Sequence, residues 1–209
     1  MESVKTDGEV QQKIAAFCFD NLNKIHADGE ILEYPKDLPD PEAPIFVTWL
    51  LDGTLRGWIG TFTAESFSKI VPIYSFMAGF KDNRFSPIQP AEVPKLSCGI
   101  SVLSDFEDIE DPIDWEVGKH GIEIEFEIDG KKYRGTYLPH VASEQNWSQE
   151  EALDSLFKKA GYSTGTLEDV KGKFSLLRRY QSFKFEISYN SYKQMAQDNP
   201  SAITPPSSQ

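Results

Sequence analysis

Arg56 is the residue whose setting most invites chemistry. It stands in the run Leu55-Arg56-Gly57-Trp58-Ile59-Gly60, among β-branched and aromatic neighbours where arginine is rarely buried without a specific partner. Two roles fit it. One is an arginine stacked on Trp49 and paired with a carboxylate. The other is an anion-recognition residue whose planar fork grips a carboxylate or phosphate. Gly57 and Gly60 leave room for another backbone or a ligand to come close. Downstream, Asp82 and Arg84 flank Asn83, either as a local turn network or as partners of Arg56 in one pocket. The candidate binding set is therefore Arg56, Gly57, Trp58, Gly60 and Arg84.

His120 and His140 are the other candidates, with Asp114 and Glu116 shortly before His120. Such a group can do acid–base work, and His120 and Asp82 are the candidate catalytic residues. No ligand spacing supports a metal, and no cofactor motif is present. The plainer expectation is that His120 satisfies a backbone group beside Gly118 and Gly121. Cys18 and Cys98 are too few for a disulfide framework and read as small packed hydrophobes.

The elements that must position these residues follow from pattern. Glu9 to Ile25 carries Val10, Ile14, Phe17 and Leu22 at helical spacing, and Asp28-Gly29 ends it. The stretch from Tyr34 to Pro44 holds four prolines and must be an irregular connector. Ile45–Leu51 and Thr54–Phe62 flank Asp52-Gly53, a hairpin signal. Its simple register sets Leu50 against Leu55, Trp49 against Arg56, Val47 against Trp58 and Phe46 against Ile59, with both faces apolar and buried. A helix from about Ala64 to Phe80 follows, which Pro72 should kink or divide. Leu96 to Leu103 alternates as a strand.

Asp105 to Gly118 carries seven carboxylates and no lysine or arginine. It is a solvated face or a docking surface for a basic partner. A second hairpin joins Ile122–Ile128 to Lys131–Tyr137 through Asp129-Gly130. It pairs Glu127 with Lys132, Glu125 with Arg134 and Phe126 with Tyr133, so one face is core and the other solvated. Ser148 to Glu151 is a capping box for a helix stopping at Gly161. Phe174–Arg178 and Phe183–Tyr189 read as two further strands. Trp58, Trp115 and Trp147 read as core or subdomain seams.

Composition bounds the function. There are 33 acidic against 21 basic side chains, a net charge of −12. Nucleic-acid binding rests on phosphate neutralisation by a basic footprint, so DNA, RNA and anionic membranes are disfavoured partners. The first residues lack a basic-then-apolar signal segment, and no apolar run approaches a membrane span. The expected location is cytoplasmic, and nuclear as well.

The motifs together resemble the AMMECR domain family. The matching residues are Phe46-Val47-Thr48-Trp49, Leu55 to Phe62, Lys81 to Pro87, Phe106-Glu107-Asp108, Asp114 to Ile122, Tyr137 to Trp147 and Leu156 to Tyr162. They cover nearly all of the chain except its end, and look most like the eukaryotic branch. The resemblance implies an α+β fold, mainly antiparallel sheet with flanking helices, with a larger and a smaller subdomain and a cleft between them lined by the segment around Arg56. It supplies no reaction. The family usually has cysteine where this chain has Trp58, so a nucleophile at that position is impossible here.

The expectations are an AMMECR-like domain over residues 1–196 and a disordered tail over 197–209. An intracellular protein-interaction module with a protein partner is favoured. The alternative is an enzyme acting on a small anionic molecule, held by Arg56.

Overall fold

The computed structural model describes residues 1–163 and 165–198. The chain forms two compact units. The larger comprises Met1–Val102 and the chain from Phe183 onward, and the smaller is Leu103–Ser182. Each has its own apolar core.

The larger unit begins with α1 (Glu2–Thr6) and α2 (Gly8–Asp28). Asp7 caps α2 by accepting the Glu9 and Val10 amides, and Gly29 ends it in the left-handed conformation. The short strands β1 (Glu42–Ala43) and β4 (Glu65–Ser66) pair with each other. Between them lie β2 (Ile45–Leu51) and β3 (Thr54–Gly60). Helix α3 (Phe67–Phe80) is a single piece containing Pro72, so the proline does not begin a second helix. Its buried face packs into the core beside Trp49, whose Nε1 donates to the Ser75 carbonyl at 3.1 Å.

Strand β5 runs from Leu96 to Asp108, five residues past the expected end, and passes from the larger unit into the smaller. The smaller unit continues with β6 (Gly121–Ile128), β7 (Lys131–Tyr137), α4 (Pro139–Glu144), α5 (Gln149–Lys159) and α6 (Leu167–Val170). Both halves of the α5 capping box form: Glu151 N donates to Ser148 Oγ and Ser148 N to Glu151 Oε2. Strand β8 (Phe174–Ser188) returns to the larger unit, where α7 (Tyr189–Asp198) follows. The main sheet hydrogen-bonds in the order β3-β2-β5-β8-β6-β7, mostly antiparallel, giving the expected α+β class.

Several sequence expectations are corrected. The two strands expected after Phe174 are one strand of 15 residues. Arg179-Tyr180-Gln181-Ser182 separates the two expected strands. However, Tyr180 is fully buried, and Arg178 and Arg179 have carboxylate partners. Gln197 and Asp198, read as tail, belong to α7, and the rest of the expected tail lies outside the described residues.

Both Asp-Gly turns place their central residues at positive φ, as a type I′ hairpin needs. The β6–β7 register is the one the turn dictates, with Glu125 opposite Arg134 and Phe126 opposite Tyr133. Its polar face is not simply solvated, because Glu123 is only 1 % exposed. Of the four expected β2–β3 pairs, only Leu50 opposite Leu55 forms. A bulge then sets Trp49 against Gly57 and Val47 against Ile59, leaving Arg56 unpaired. Strand β3 is an edge strand, half-buried rather than enclosed on both faces.

Candidate functional site

The bulge decides what Arg56 does. An extra residue in one strand re-aims its side chain, and here the guanidinium turns toward the segment after α3. Arg56 Nε and Nη2 donate to the two oxygens of Glu92 at 2.8 and 3.0 Å. Nη1 donates to the Ser86 carbonyl at 2.7 Å and Nη2 to that of Pro87 at 3.3 Å. The side chain is 11 % exposed. The arginine is thus paired with a carboxylate, as one of its two expected roles required, but it does not face Trp49.

Asp82 and Arg84 form a second fastening on β3. Arg84 Nε donates to Asp82 Oδ1 at 2.9 Å and Nη2 to Oδ2 at 2.6 Å. The backbone of Trp58 is held on both sides: its amide donates to Asp82 Oδ2 at 2.9 Å, and its carbonyl accepts from Arg84 Nη2 at 3.0 Å. This ion pair stands where a neighbouring strand would otherwise pair. Arg84's hydrogen bonds, helped by the Trp58 amide, hold the Asp82 carboxyl down at about 2. The Arg84 guanidinium also lies over the rings of Trp58 and Phe85, 5.8 and 5.5 Å from their centroids. Trp58 in turn stacks on Phe46 at 4.8 Å.

The two glycines of the binding set face backbone. A Cβ on Gly57 would sit 1.9 Å from the Ala78 carbonyl oxygen, and one on Gly60 2.1 Å from that of Ile45. The close approach expected at these positions is made by the chain itself. Arg56, Gly57, Trp58, Gly60, Asp82 and Arg84 therefore gather in the larger unit, around the fastened edge of β3.

His120 belongs to the smaller unit and a different network. The acidic segment before it is tightly wound: Trp115 is buried, and its Nε1 donates to the Pro112 carbonyl at 3.0 Å. The His120 ring folds back so that Nδ1 accepts the Glu116 amide at 3.0 Å. This is the backbone role expected for it. Since Nδ1 is the acceptor, the ring proton of the neutral form sits on Nε2. Burial, and then the charges of Arg179 and Lys119, push the imidazole below its ordinary pKa and favour that neutral form. His120 lines a cavity of about 390 Å3 together with Glu107, Asp114, Glu116, Lys119 and Arg179. Arg179 holds Glu107 at 2.6 Å and Asp114 at 2.9 Å. His140 is exposed and does not line this cavity.

Two partners went unnoticed in the sequence. Glu92 lies 36 residues from Arg56 and carries no motif. Arg179 lies 65 residues from Asp114; the only available signal was alternation along one strand, which sends Arg178 and Arg179 to opposite faces. Cys18 and Cys98 are fully buried, packed as expected, and burial together with the neighbouring Cys18 pushes the Cys98 thiol well up.

Comparison with known proteins agrees with this architecture. The AMMECR1 family model matches residues 15–185. An uncharacterised protein of Arabidopsis thaliana is 41 % identical over 189 residues, covering 87 % of this chain and 86 % of that one. An uncharacterised protein of Schizosaccharomyces pombe is 44 % identical over 153 residues, covering 71 % and 77 %. The crystal structure of an uncharacterised protein from Pyrococcus horikoshii superposes with a TM-score of 0.67 at 25 % identity, covering 85 % of this chain and 91 % of that one. The chain belongs to the AMMECR1 family.

Proposed function

We propose that this AMMECR1-family chain is an intracellular protein-interaction module that docks a protein partner on the fastened edge of β3. One observation carries the reading: Arg84 is 47 % exposed, yet already fixed by Asp82 over the rings of Trp58 and Phe85. Tryptophan and arginine dominate interface hot spots, and a side chain ordered in advance loses less entropy on binding. Arg84 Nη1 has no partner among the described residues, so it can donate to a carbonyl or carboxylate of the partner. Among the described residues no helix is long and apolar enough to cross a membrane.

The alternative, an enzyme holding a small anion on Arg56, would need that guanidinium to leave Glu92 and two carbonyls. That exchange breaks four existing hydrogen bonds for the new ones.

Affinity capture from extract, with wild type, Arg84→Lys and Phe85→Ser compared side by side, tests the module. The expected result is a partner retained by wild type and lost by both variants, each variant still folded at the capture temperature by its circular dichroism and melting curve. A set of captured proteins that is the same for all three removes the reading.

A further inference from the structure

The cavity in the smaller unit holds a group that its own fold leaves half satisfied. His120 is 8 % exposed, and Nδ1 is committed to the Glu116 amide. Nε2 has no hydrogen-bond partner among the described residues. It is not sealed either, because every fully buried side-chain nitrogen and oxygen among them has a partner. Nε2–H therefore keeps some access to solvent, at a residue that lines the cavity. A neutral imidazole fixed through Nδ1 by a backbone amide is a hydrogen-bond donor suited to a carbonyl oxygen.

The rest of the lining sets the charge of what fits. Glu107, Asp114 and Glu116 face Lys119 and Arg179, leaving one net negative charge with His120 neutral. Each carboxylate uses one oxygen on its cation: Glu107 Oε2 and Asp114 Oδ1 on Arg179, and Glu116 Oε2 on Lys119. The second oxygen of each has no partner among the described residues, which gives up to three acceptors for an ammonium group. A volume of about 390 Å3 lies within the range of small-ligand pockets.

We propose that this cavity binds a small molecule carrying a positively charged amine and a carbonyl oxygen, the carbonyl on His120 Nε2–H and the amine on the free carboxylate oxygens. This site is separate from the β3 surface and does not depend on the module. It also differs from the small anion expected from the sequence, because carboxylates outnumber cations here.

The test uses the full chain and follows the His120 ring nitrogens by NMR during titration with glycinamide, methylamine and succinamate at millimolar concentration. Glycinamide offers amine and carbonyl, methylamine lacks the carbonyl, and succinamate carries a carboxylate, one methylene further out, in place of the amine. The expected result is a saturable shift of Nε2 with glycinamide, binding about tenfold weaker with methylamine, and none with succinamate. His120→Asn keeps an acceptor for the Glu116 amide but does not reach the Nε2 position, and should bind glycinamide about tenfold more weakly; His120→Gln, whose amide reaches toward it, should recover part of the loss. Asp114→Asn, at an exposed position, should also weaken binding and covers the case in which His120→Asn does not fold; for these variants the titration is read by calorimetry. No saturable shift with glycinamide, equal binding of succinamate, or unchanged affinity in both His120→Asn and Asp114→Asn overturns the proposal.

Discussion

Arg56 and His120 stand in similar sequence settings and end differently. Each follows a tight turn, each is nearly buried, and each has carboxylates close by. Arg56 is closed: Glu92 and two loop carbonyls take its donors, and its charge ties a loop to an edge strand. His120 is open: one nitrogen braces the backbone and the other has no partner among the described residues, at a residue that lines a polar cavity. A polar residue in a conspicuous motif can be wholly structural, while a less conspicuous one keeps an atom available. Counting the remaining donors and acceptors separates the two cases better than burial does.

The strongest test of this contrast concerns a fully enclosed charge. Glu123 is 1 % exposed and accepts from Arg134 at 2.6 Å and Arg178 at 2.7 Å. Glu123→Ala should cost about 3 kcal/mol, because two charge-assisted hydrogen bonds are lost at a buried position while both arginines can still reach water. Urea unfolding measures it, and a loss below about 1 kcal/mol would mean the pair is not what holds β6 to β7 and β8.

Arg56→Ala should cost about 2–3 kcal/mol by removing four hydrogen bonds: Glu92 keeps only the Gln89 amide and the Pro87 carbonyl only Gln89 Nε2, while the Ser86 carbonyl keeps no donor among the described residues; Arg56→Lys should recover only part because it lacks the fork. If Arg56→Ala keeps full stability, the fastening contributes little and an exchangeable anion site becomes tenable again.

Acid sharpens the same point for Asp82. Its folded pKa is depressed from 3.8 to about 2, so its contribution is fully present above about pH 4 and disappears as pH falls toward 2. The contribution is about 2 kcal/mol. The gap in stability between wild type and Asp82→Asn should therefore narrow across that window; a gap independent of pH would assign the stabilisation to something other than the ionised carboxylate. The smallest effect is expected at Ser148→Ala, where one lost cap on α5 should cost about 1 kcal/mol in thermal unfolding, well away from both sites.

How much of this was legible in the sequence differs by element. The β6–β7 hairpin was legible in full, because its turn, its alternation and its cross-strand charges all agree on one register. The β2–β3 hairpin was legible only at its turn. No local signal marks the bulge at Arg56, whose stability comes from Glu92 in a distant segment. The continuity of β8 was hidden because Arg179, Gln181 and Ser182 interrupt the apolar alternation, and the carboxylate partners of Arg179 lie far off in sequence. His120 was picked out by residue type, and its backbone role was expected. The cavity beside it was not, since it needs Arg179 brought from the far end of the unit.

The sequence by itself determined the β6–β7 hairpin, both Asp-Gly turns, the α5 cap and family membership, since these depend on neighbouring residues or on motif order. Tertiary structure decided which polar groups are closed and which stay open. That outcome rests on partners dozens of residues away, and a hydrogen bond over such a distance leaves no periodicity in the chain to read.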